Sequence, residues 1–363
     1  MKIGHQALDK SRRYEINPMF EIGINPMFIM IVHNDITKEN APEENDVLVQ
    51  AQIVSEALEA LGHETEQIAC SLNLDSIKAY LKQRKPDLVF NLVESLDGSG
   101  RLIHLFPSLL DALQIPYTGS KAETIFQTSN KIIAKQVLAS LNLNTPACFA
   151  TFPVDRSIQK QDRNVLCHHA SQWIIKSIWE HASAGLDDNG IIMGTDSADI
   201  LKKLKKCAFQ MGGACFAEAF INGREFNISI LSDNNGAPQV LPAAEIIFEG
   251  YDDNKPKIVG YQAKWEQDSY EFNHTRRSFD NLVSDHHLLS KLYNMSKTCW
   301  YEFRLRGYAR IDFRVDNNNE PWILEINTNP CLSPDAGFAA AISQAGLSFQ
   351  DAINRIIRDV YDE

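Results

Sequence analysis

The chain has 363 residues, of which 44% are hydrophobic and 23% are charged, and its formal net charge is -12 at pH 7. A chain of this length usually divides into two or three domains. The negative charge argues against nucleic acid or an anionic membrane as the main partner, and no apolar run is long enough to span a bilayer. Seven scattered cysteines without a CxxC pair favour reduced thiols and a cytoplasmic location, and argue against a zinc site or a disulfide framework.

The first third of the chain alternates predicted strands and helices. INPMF occurs twice near the start, and we interpret it as a local duplication in a loose N-terminal extension over residues 1–26. From there to residue 122 the apolar pattern predicts a parallel sheet in an α/β domain. The predicted elements are, in order, a strand at 28–34, a helix at 47–61, a strand at 64–69, a helix at 75–83, a strand at 87–93, a helix at 102–113 and a strand in IPYTGS.

The loop ESLDGSGR, residues 94–101, follows the third predicted strand. Ligands of parallel sheets bind beyond the carboxyl ends of the strands, so Glu94 begins a candidate substrate loop. A glycine-rich connector that binds no ligand explains the same residues equally well.

The middle of the chain contains two features suited to phosphate. The strand predicted at 173–178 carries Lys176 among apolar residues, where a lysine either extends to water or reaches a phosphate. The residues EHASAGLDDNG that follow are small enough for backbone N–H groups to surround phosphate oxygens, although they lack the spacing of a P-loop. The other predicted elements are helices at 124–141, 196–211, 284–305 and 348–360, strands at 145–151 and 240–249, and a hairpin of 215–221 with 224–231 around Asn222-Gly223.

The stretch YARIDFRVDNNNEPWILEINTNP, residues 308–330, predicts a second hairpin because both runs beside its turn alternate as strands do. The predicted apolar face holds Ala309, Ile311, Phe313, Val315, Leu324 and Ile326. The predicted polar face holds Arg310, Asp312, Arg314, Glu325 and Asn327.

Asp312, Glu325 and Asn327 are expected to lie near one another on the polar face of this hairpin, with Arg310 alongside. Two carboxylates and an amide oxygen are hard ligands that suit Mg²⁺. Burying such charges is unfavourable unless a cation meets them. The alternative, which the hairpin alone leaves open, is a polar face that is exposed to water.

The motifs of this sequence, taken in chain order, resemble those of the ATP-grasp enzymes, and within them those of the D-alanine-D-alanine ligases. The resemblance runs from about residue 86 onward and rests on the ordered motifs IPYTGS, SNKIIAK, WIIKS, EAFINGREFNISI, AKW, RIDF and LEINTNP. It implies a chain that is α/β in its N-terminal half and α+β in its C-terminal half. A parallel-sheet domain at 27–122 would precede two domains, at 123–213 and 214–363, that clasp the nucleotide.

The resemblance also implies roles for the matching residues, with ATP and two Mg²⁺ ions, or Mn²⁺ in their place, as cofactors. Lys131 and Lys176 would bind the ATP phosphates, and Lys264 would bind the terminal phosphate. Glu218, with the backbone of Phe220 and Ile221, would bind the adenine. Glu225 would bind the ribose. The ions would be held by Asp312, Glu325 and Asn327. The candidate catalytic residues are Arg310, for the oxyanion of the tetrahedral intermediate, Lys264, and Ser183, which keeps the second serine of the family's small-residue loop. Taken singly, each lysine is explained by a surface salt bridge and each glutamate by a solvated strand end.

The departures from the family pattern lie on the substrate side. They are Glu94-Ser95 for a His-Gly pair, His181 for a glycine, Ala182 for a serine that helps to hold the first amino acid, Trp265 for a tyrosine, Cys331 for a glycine, and Ala336 at about the serine that binds the carboxylate of the second substrate. The family's glutamate for the substrate ammonium has no clear match, and Glu43, Glu44 and Asp46 are candidates to replace it.

The sequence therefore predicts an ATP-dependent carboxylate-amine ligase that activates an acid as an acyl phosphate, with a pocket altered for other amino acids or short peptides. Three alternatives stay open: an authentic, divergent D-alanine-D-alanine ligase, a ligase that modifies a peptide or protein terminus, and an ATP-binding regulator without catalysis. By resemblance we also expect a homodimer.

Overall fold

The computed structural model describes residues 25–36, 42–150, 172–180, 191–193, 197–208, 214–252, 255–280 and 285–361. Nearly all of the predicted N-terminal extension, and the small-residue loop after residue 180 with His181, Ala182 and Ser183, lie outside the described residues. Within the described ranges, no helix is long and apolar enough to cross a membrane.

The first sheet is parallel, as predicted, with its three strands in the order β2-β1-β3. Its strands are β1 (Phe28–Asn34), β2 (Glu64–Cys70) and β3 (Leu88–Leu92). Three helices accompany them: α1 (Pro42–Ala60), α2 (Leu74–Arg84) and α3 (Leu105–Leu113), the last preceded by a short 3₁₀ helix at Gly100–Leu102. β1 is buried on both faces: Ile29 and Ile31 pack in the same cluster as α1, whereas Met30 and Val32 pack with α2 and α3.

The predicted strand in IPYTGS is wrong. Within the described residues this segment makes one isolated parallel bridge, between Val89 and Tyr117, at the edge of β3. Pro116 has no N–H to donate to a ladder, and Gly119, at a φ of +83°, turns the chain away.

The helix predicted at 124–141 is two helices, α4 (Ala122–Ser129) and α5 (Lys131–Ser140), with a break at Asn130. Asn130 is extended, and its side-chain oxygen accepts hydrogen bonds from the backbone N–H groups of Ile132 and Ile133. It is therefore the N-cap of α5, a position that asparagine favours. The break makes Lys131 the first residue of the second helix.

The second sheet is antiparallel, in the order β4-β7-β5-β6. Its strands are β4 (Cys148–Ala150), β5 (Gln172–Ser177), β6 (Ile191–Met193) and β7 (Cys215–Ala219), and helix α6 (Ser197–Ala208) precedes the last of them. Leu204 of α6 packs in one cluster with Trp173, Ile175 and Ala217, so the helix covers one face of this sheet.

The third sheet is also antiparallel, in the order β11-β10-β8-β12-β13, with β9 paired to β8. Its strands are β8 (Arg224–Ser232), β9 (Pro238–Val240), β10 (Ala244–Phe248), β11 (Thr275–Ser278), β12 (Tyr308–Val315) and β13 (Pro321–Asn327). The helices of this part are α7 (Tyr261–Trp265), α8 (Tyr270–His274), α9 (His286–Glu302), α10 (Gly337–Gln344) and α11 (Phe349–Arg358). α9 packs on the apolar face of β8 and β12, whereas α11 packs with α1 against the first sheet.

The hairpin predicted around Asn222-Gly223 is wrong, because β7 and β8 belong to different sheets. Gly223 has a φ of +145°, and a Cβ at this position would lie 2.0 Å from the carbonyl oxygen of Val315. A glycine is therefore required where the chain crosses from the second sheet to the third, and the turn closes no hairpin.

The second predicted hairpin is confirmed: β12 and β13 are antiparallel, and Asp312 lies opposite Glu325 and Arg310 opposite Asn327. The pairing shifts after Asp312, so that Phe313 lies opposite Ile323. This bulge contradicts the prediction for Leu324, since Ile323 and Ile326 join the core while Leu324 lines a cavity.

Candidate nucleotide and metal site

A cavity of about 610 Å³ brings together polar side chains from the second and third sheets and from the loops after β3 and β13. Every predicted site residue that the structure describes lines it: Glu94, Lys131, Lys176, Glu218, Phe220, Ile221, Glu225, Lys264, Trp265, Arg310, Asp312, Glu325, Asn327, Cys331 and Ala336. Ser183 lies outside the described residues. The individual roles of these residues stay predictions.

Asp312 is buried at the centre of the polar face of β12. Its carboxylate accepts two hydrogen bonds from Arg310, of 2.8 and 2.9 Å, and a third of 2.8 Å from the side-chain amide of Asn227 on β8. Burial raises the pKa of Asp312, as does the neighbouring charge of Glu325, while Arg310 opposes both. Two like charges are thus close together in a site where water is partly excluded, and a cation would stabilise them.

The donor set fits Mg²⁺. Among the described residues no three His, Cys, Asp or Glu side chains converge on one point that could hold an ion. An ion at Asp312 and Glu325 would therefore take a third ligand from the amide oxygen of Asn327, which lines the same cavity, and others from phosphate or water. Such a mixture of carboxylate, amide and external oxygens is usual for Mg²⁺.

Two cationic side chains lie beside these acids. Burial alone would lower the pKa of Arg310, but the ion pair with Asp312 raises it, so the guanidinium stays charged. Burial lowers the pKa of Lys264 on α7, and the positive charge of Arg310 lowers it further. An anionic group placed between these two cations would relieve their repulsion.

Lys131, Lys135 and Lys176 form a basic cluster around a buried acid, Glu218 of β7. Lys135 and Lys176 each place Nζ 2.5 Å from a different carboxylate oxygen of Glu218. Burial alone would raise the pKa of Glu218, but the two lysines lower it below its usual value. Lys131 donates a hydrogen bond of 2.8 Å to the carbonyl oxygen of Glu180 and lies 3.9 Å from Glu325.

Arg314 of β12 joins the segment after β7 to the start of β8. It donates to the carbonyl oxygen of Ile221 at 3.0 Å and to the Glu225 carboxylate at 3.0 Å, and its guanidinium lies 5.2 Å from the centre of the Phe220 ring. The backbone N–H of Phe220 donates to the carbonyl oxygen of Gln172. The Phe220 N–H is thus used within the protein, and the predicted adenine contacts depend on the other backbone groups.

The far end of the cavity carries two more acids. Gln50 of α1 donates to Glu94 at 3.1 Å, and burial raises the pKa of Glu94 to about 7. Asp46 accepts hydrogen bonds from the Cys331 thiol at 2.9 Å and from the Ser333 hydroxyl at 2.5 Å. Of the three candidates for the substrate ammonium, Asp46 lines the cavity, whereas the side chains of Glu43 and Glu44 are outside the description.

Cys331 is held as a neutral thiol. Burial raises its pKa, and the charges of Glu94 and Asp46 raise it further. A thiol in such surroundings is a poor nucleophile, so the structure favours the interpretation of Cys331 as a small neutral spacer.

The sequence analysis gave no role to several residues that the structure brings to the site: Asn227, Arg277 and Arg314 line the cavity, and Gln50 and Lys135 bind the cavity residues Glu94 and Glu218. The sequence held a signal for two of them. Asn227 lies two residues after Glu225 on β8, and Arg314 lies two residues after Asp312 on β12, so the members of each pair share a face of the strand. Lys135 lies four residues after Lys131, one turn along the same helix, and both are buried.

The chain is similar to known proteins over most of its length. The family described as D-ala D-ala ligase C-terminus matches residues 173–358. The D-alanine–D-alanine ligase of Aquifex aeolicus is 27% identical over 316 residues, covering 85% of this chain and 94% of that protein. An uncharacterized protein, y4sG of Sinorhizobium fredii, is 26% identical and covers 85% of this chain and 86% of its own length.

A solved structure shares the fold. The D-alanine–D-alanine ligase of Bacillus anthracis, crystallised with ATP, has a TM-score of 0.67 and 18% sequence identity, and the match covers 92% of this chain and 97% of that one. The expected ATP-grasp architecture, a parallel N-terminal sheet followed by antiparallel sheets, is therefore confirmed. Because the family match extends over more than half of the 363 residues and contains Lys264, Arg310, Asp312, Glu325 and Asn327, this chain belongs to the D-alanine–D-alanine ligase family defined by that C-terminal domain.

Proposed function

We propose that this protein is an ATP-dependent ligase that joins a carboxylate to an amine through an acyl phosphate, with amino-acid specificity other than two D-alanines. The observation that carries the proposal is the cavity in which Asp312, Glu325 and Asn327 meet Arg310 and Lys264. Two acids, an amide and two cations suit the transfer of a phosphoryl group, which depends on positioning and charge neutralisation rather than on a nucleophilic side chain.

Lys131 and Lys176 are proposed to bind the ATP phosphates, with Glu218, Phe220 and Ile221 at the adenine and Glu225 at the ribose. Support comes from the buried lysine cluster, whose charges Glu218 alone does not balance. Arg314 holds Glu225 and Ile221 in place and is proposed to position this side of the nucleotide. The related ligase of Bacillus anthracis was crystallised with ATP.

Asp312, Glu325 and Asn327 would hold magnesium, as two ions. Such ions would neutralise the negative charge of the ATP phosphates. Lys264 is proposed to donate a hydrogen bond to the terminal phosphate. Burial and the charge of Arg310 lower its pKa, and a bound anion would stabilise its ammonium form. Manganese is proposed as a substitute ion because it accepts the same oxygen ligands.

Arg310 is proposed to donate to the oxyanion that forms when the amine attacks the acyl phosphate. A fixed donor aimed at developing charge is worth roughly 3–4 kcal/mol of barrier. Its hydrogen bonds to Asp312 and its retained charge hold the guanidinium in a defined orientation for this work. Ser183, which lies outside the described residues, is proposed to assist catalysis.

The altered specificity rests on the residues at the far end of the cavity. Trp265 adds an indole, and Ala336 and Cys331 carry no hydroxyl, while Glu94 and Asp46 add carboxyl groups. Asp46 is proposed to receive the substrate ammonium. A pocket that changes both shape and polar groups discriminates among substrates by the partners it leaves unpaired.

We also propose that residues 27–122, 123–213 and 214–363 form three domains that act together, in a cytoplasmic homodimer. The three separate sheets support the division, although β7, which follows residue 213, pairs with β5 of the second sheet. The molecular mass in solution, measured by light scattering, tests the homodimer against a calculated chain mass of 40.9 kDa.

The experiment that tests the activity supplies Mg-ATP with pairs from a panel of D- and L-amino acids and short peptides, and measures ADP, phosphate and the mass of the product. Turnover with a defined amide product supports the ligase. Efficient formation of D-alanyl-D-alanine would contradict the altered specificity and favour a divergent member with the original substrates. ATP binding without turnover on any pair would favour a regulator.

A further inference from the structure

Among the arginines of the cavity wall, one has neither an ion pair within the described residues nor a role in the proposed binding of nucleotide, metal or oxyanion. This residue is Arg277, which lies on β11 and lines the cavity. Arg276, the neighbouring residue of the same strand, also borders the cavity, but its guanidinium is exposed and forms an ion pair with Glu249. The ion pair of Arg276 distinguishes it from Arg277, which has no such partner among the described residues.

Arg277 has little to bind within the protein. Within the described residues, it makes one long hydrogen bond of 3.4 Å, to the carbonyl oxygen of Asp335, and no ion pair joins it to a carboxylate. Its Nε is enclosed and has no acceptor in the described ranges. A guanidinium carries five N–H donors in a planar fork that matches a carboxylate, so a large part of this capacity is unused.

The surroundings of Arg277 favour an anionic ligand. Burial lowers its pKa, and the charge of Arg310 lowers it further, whereas Asp335 opposes this. Arg310 is already bound by Asp312 through both carboxylate oxygens. The indole N–H of Trp265, also in the cavity wall, is likewise enclosed without an acceptor in the described part of the chain.

The position of Arg277 is at the substrate end of the cavity. Its guanidinium packs against Gly337, where a Cβ would lie 3.5 Å from both Nε and an outer nitrogen. Gly337 begins α10 after Ala336, whose side chain makes no capping hydrogen bond. A Cβ at 337 would thus be in ordinary van der Waals contact with the guanidinium, which places Arg277 next to the start of α10.

We propose that Arg277 binds the carboxylate of the amine substrate, so that this substrate is a free amino acid and not a simple amine or an internal peptide amine. This inference rests on the proposed ligase function. In that reaction the carboxylate of the acid substrate is consumed, whereas a carboxylate on the amine substrate persists throughout. A permanent cation is suited to the group that does not react, since a bidentate guanidinium fixes the amine relative to the acyl group.

The test measures binding without turnover, in the presence of Mg²⁺ and a nonhydrolysable ATP analogue. The probes are a panel of D- and L-amino acids and the matching amino-acid carboxamides, titrated by calorimetry. The wild type should bind at least one amino acid about 10- to 100-fold more tightly than its carboxamide, the factor expected for hydrogen bonds to a charged group. Arg277→Met should remove this preference and Arg277→Lys should keep part of it, while Arg276→Met, an equal change of charge one residue away, should keep it.

Three results would overturn the proposal. The first is equal binding of acids and carboxamides, or no binding of any amino acid, by the wild type. The second is an equal loss in the two methionine variants, which would indicate a general effect of charge. The third is weaker binding of the ATP analogue to Arg277→Met with an unchanged preference for acids, which would assign Arg277 to phosphate. Failure of the analogue alone to bind the wild type would instead refute the ligase function, so the two failures are distinct.

Discussion

Arg310 binds Asp312 from the same face of the same strand, two residues away, through two hydrogen bonds of 2.8 and 2.9 Å. An ion pair between two solvated side chains contributes little to stability. Here both are enclosed, and each compensates the burial of the other. The pair holds a proposed metal ligand and a proposed oxyanion donor in one fixed arrangement.

Replacing Arg310 with methionine should lower kcat about 10²- to 10³-fold, because a fixed donor to the transition state is lost. The KM for ATP should change less than kcat, since Arg310 is paired with Asp312 and not with Lys131 or Lys176, which are proposed to bind the phosphates. Steady-state kinetics on the active substrate pair measures both. Arg84→Met, which breaks an exposed pair with Glu66, is the control and should behave as the wild type. Wild-type turnover by Arg310→Met would exclude the oxyanion role.

The metal ligands are tested without turnover. Glu325→Gln should weaken the Mg²⁺-dependent rise in melting temperature, measured with a nonhydrolysable ATP analogue, by a shift of at least about tenfold in the Mg²⁺ concentration required. The physical reason is that an amide oxygen donates less charge to a hard cation than a carboxylate does. Glu66→Gln, at an acid of the first sheet, is the control. An unchanged Mg²⁺ response in Glu325→Gln would remove Glu325 from the metal site.

The hairpin at residues 308–330 could be predicted because alternation is a local property of a strand. The opposition of Asp312 and Glu325 follows from the turn and the period of two. The bulge after Asp312 could not be predicted, since one extra residue leaves the composition of both runs unchanged. Leu324 consequently lines the cavity although its spacing matches Ile326.

The ion-pair partners of the buried charges could not be predicted from the sequence either, because the two members of each pair lie far apart in the chain. Lys135 and Glu218 are 83 positions apart, and Arg314 and Glu225 are 89 apart. The Asn222-Gly223 dipeptide predicted a hairpin from local turn chemistry, whereas the contact of Gly223 with Val315 reflects the approach of a distant strand. The family resemblance identified the residues of the cavity better than periodicity did, since an ordered set of motifs carries long-range information.

Lys135 is predicted to stabilise the fold through its ion pair with Glu218. Lys135→Met should lower the free energy of unfolding by about 2–3 kcal/mol, somewhat less than a fully unpaired buried charge costs, because Lys176 still compensates Glu218. Chemical denaturation measures the change. Lys291→Met breaks a pair with Glu320 of the same length, 2.5 Å, but far more exposed, and should cost less than about 1 kcal/mol. Equal losses in both variants would show that burial of the Glu218 pair contributes nothing.

Glu94 should make stability depend on pH in the mildly acidic range. Its pKa is about 7 in the folded protein, against an ordinary value of 4.5, because burial disfavours the charged form. Between these two values the folded chain binds the proton and the unfolded chain does not, so the free energy of unfolding falls as pH rises. The full effect is about 3 kcal/mol, from about 1.4 kcal/mol per pH unit.

Glu94→Gln isolates this contribution, since glutamine keeps the shape and does not titrate. At pH 4.5 the variant and the wild type should differ little, because both side chains are neutral in the folded state. By pH 7.5 the variant should have gained about 3 kcal/mol relative to the wild type. Denaturant titrations at the two pH values provide the comparison. A constant difference between the two proteins would mean that Glu94 titrates normally, and that its hydrogen bond with Gln50 offsets the cost of burial in full.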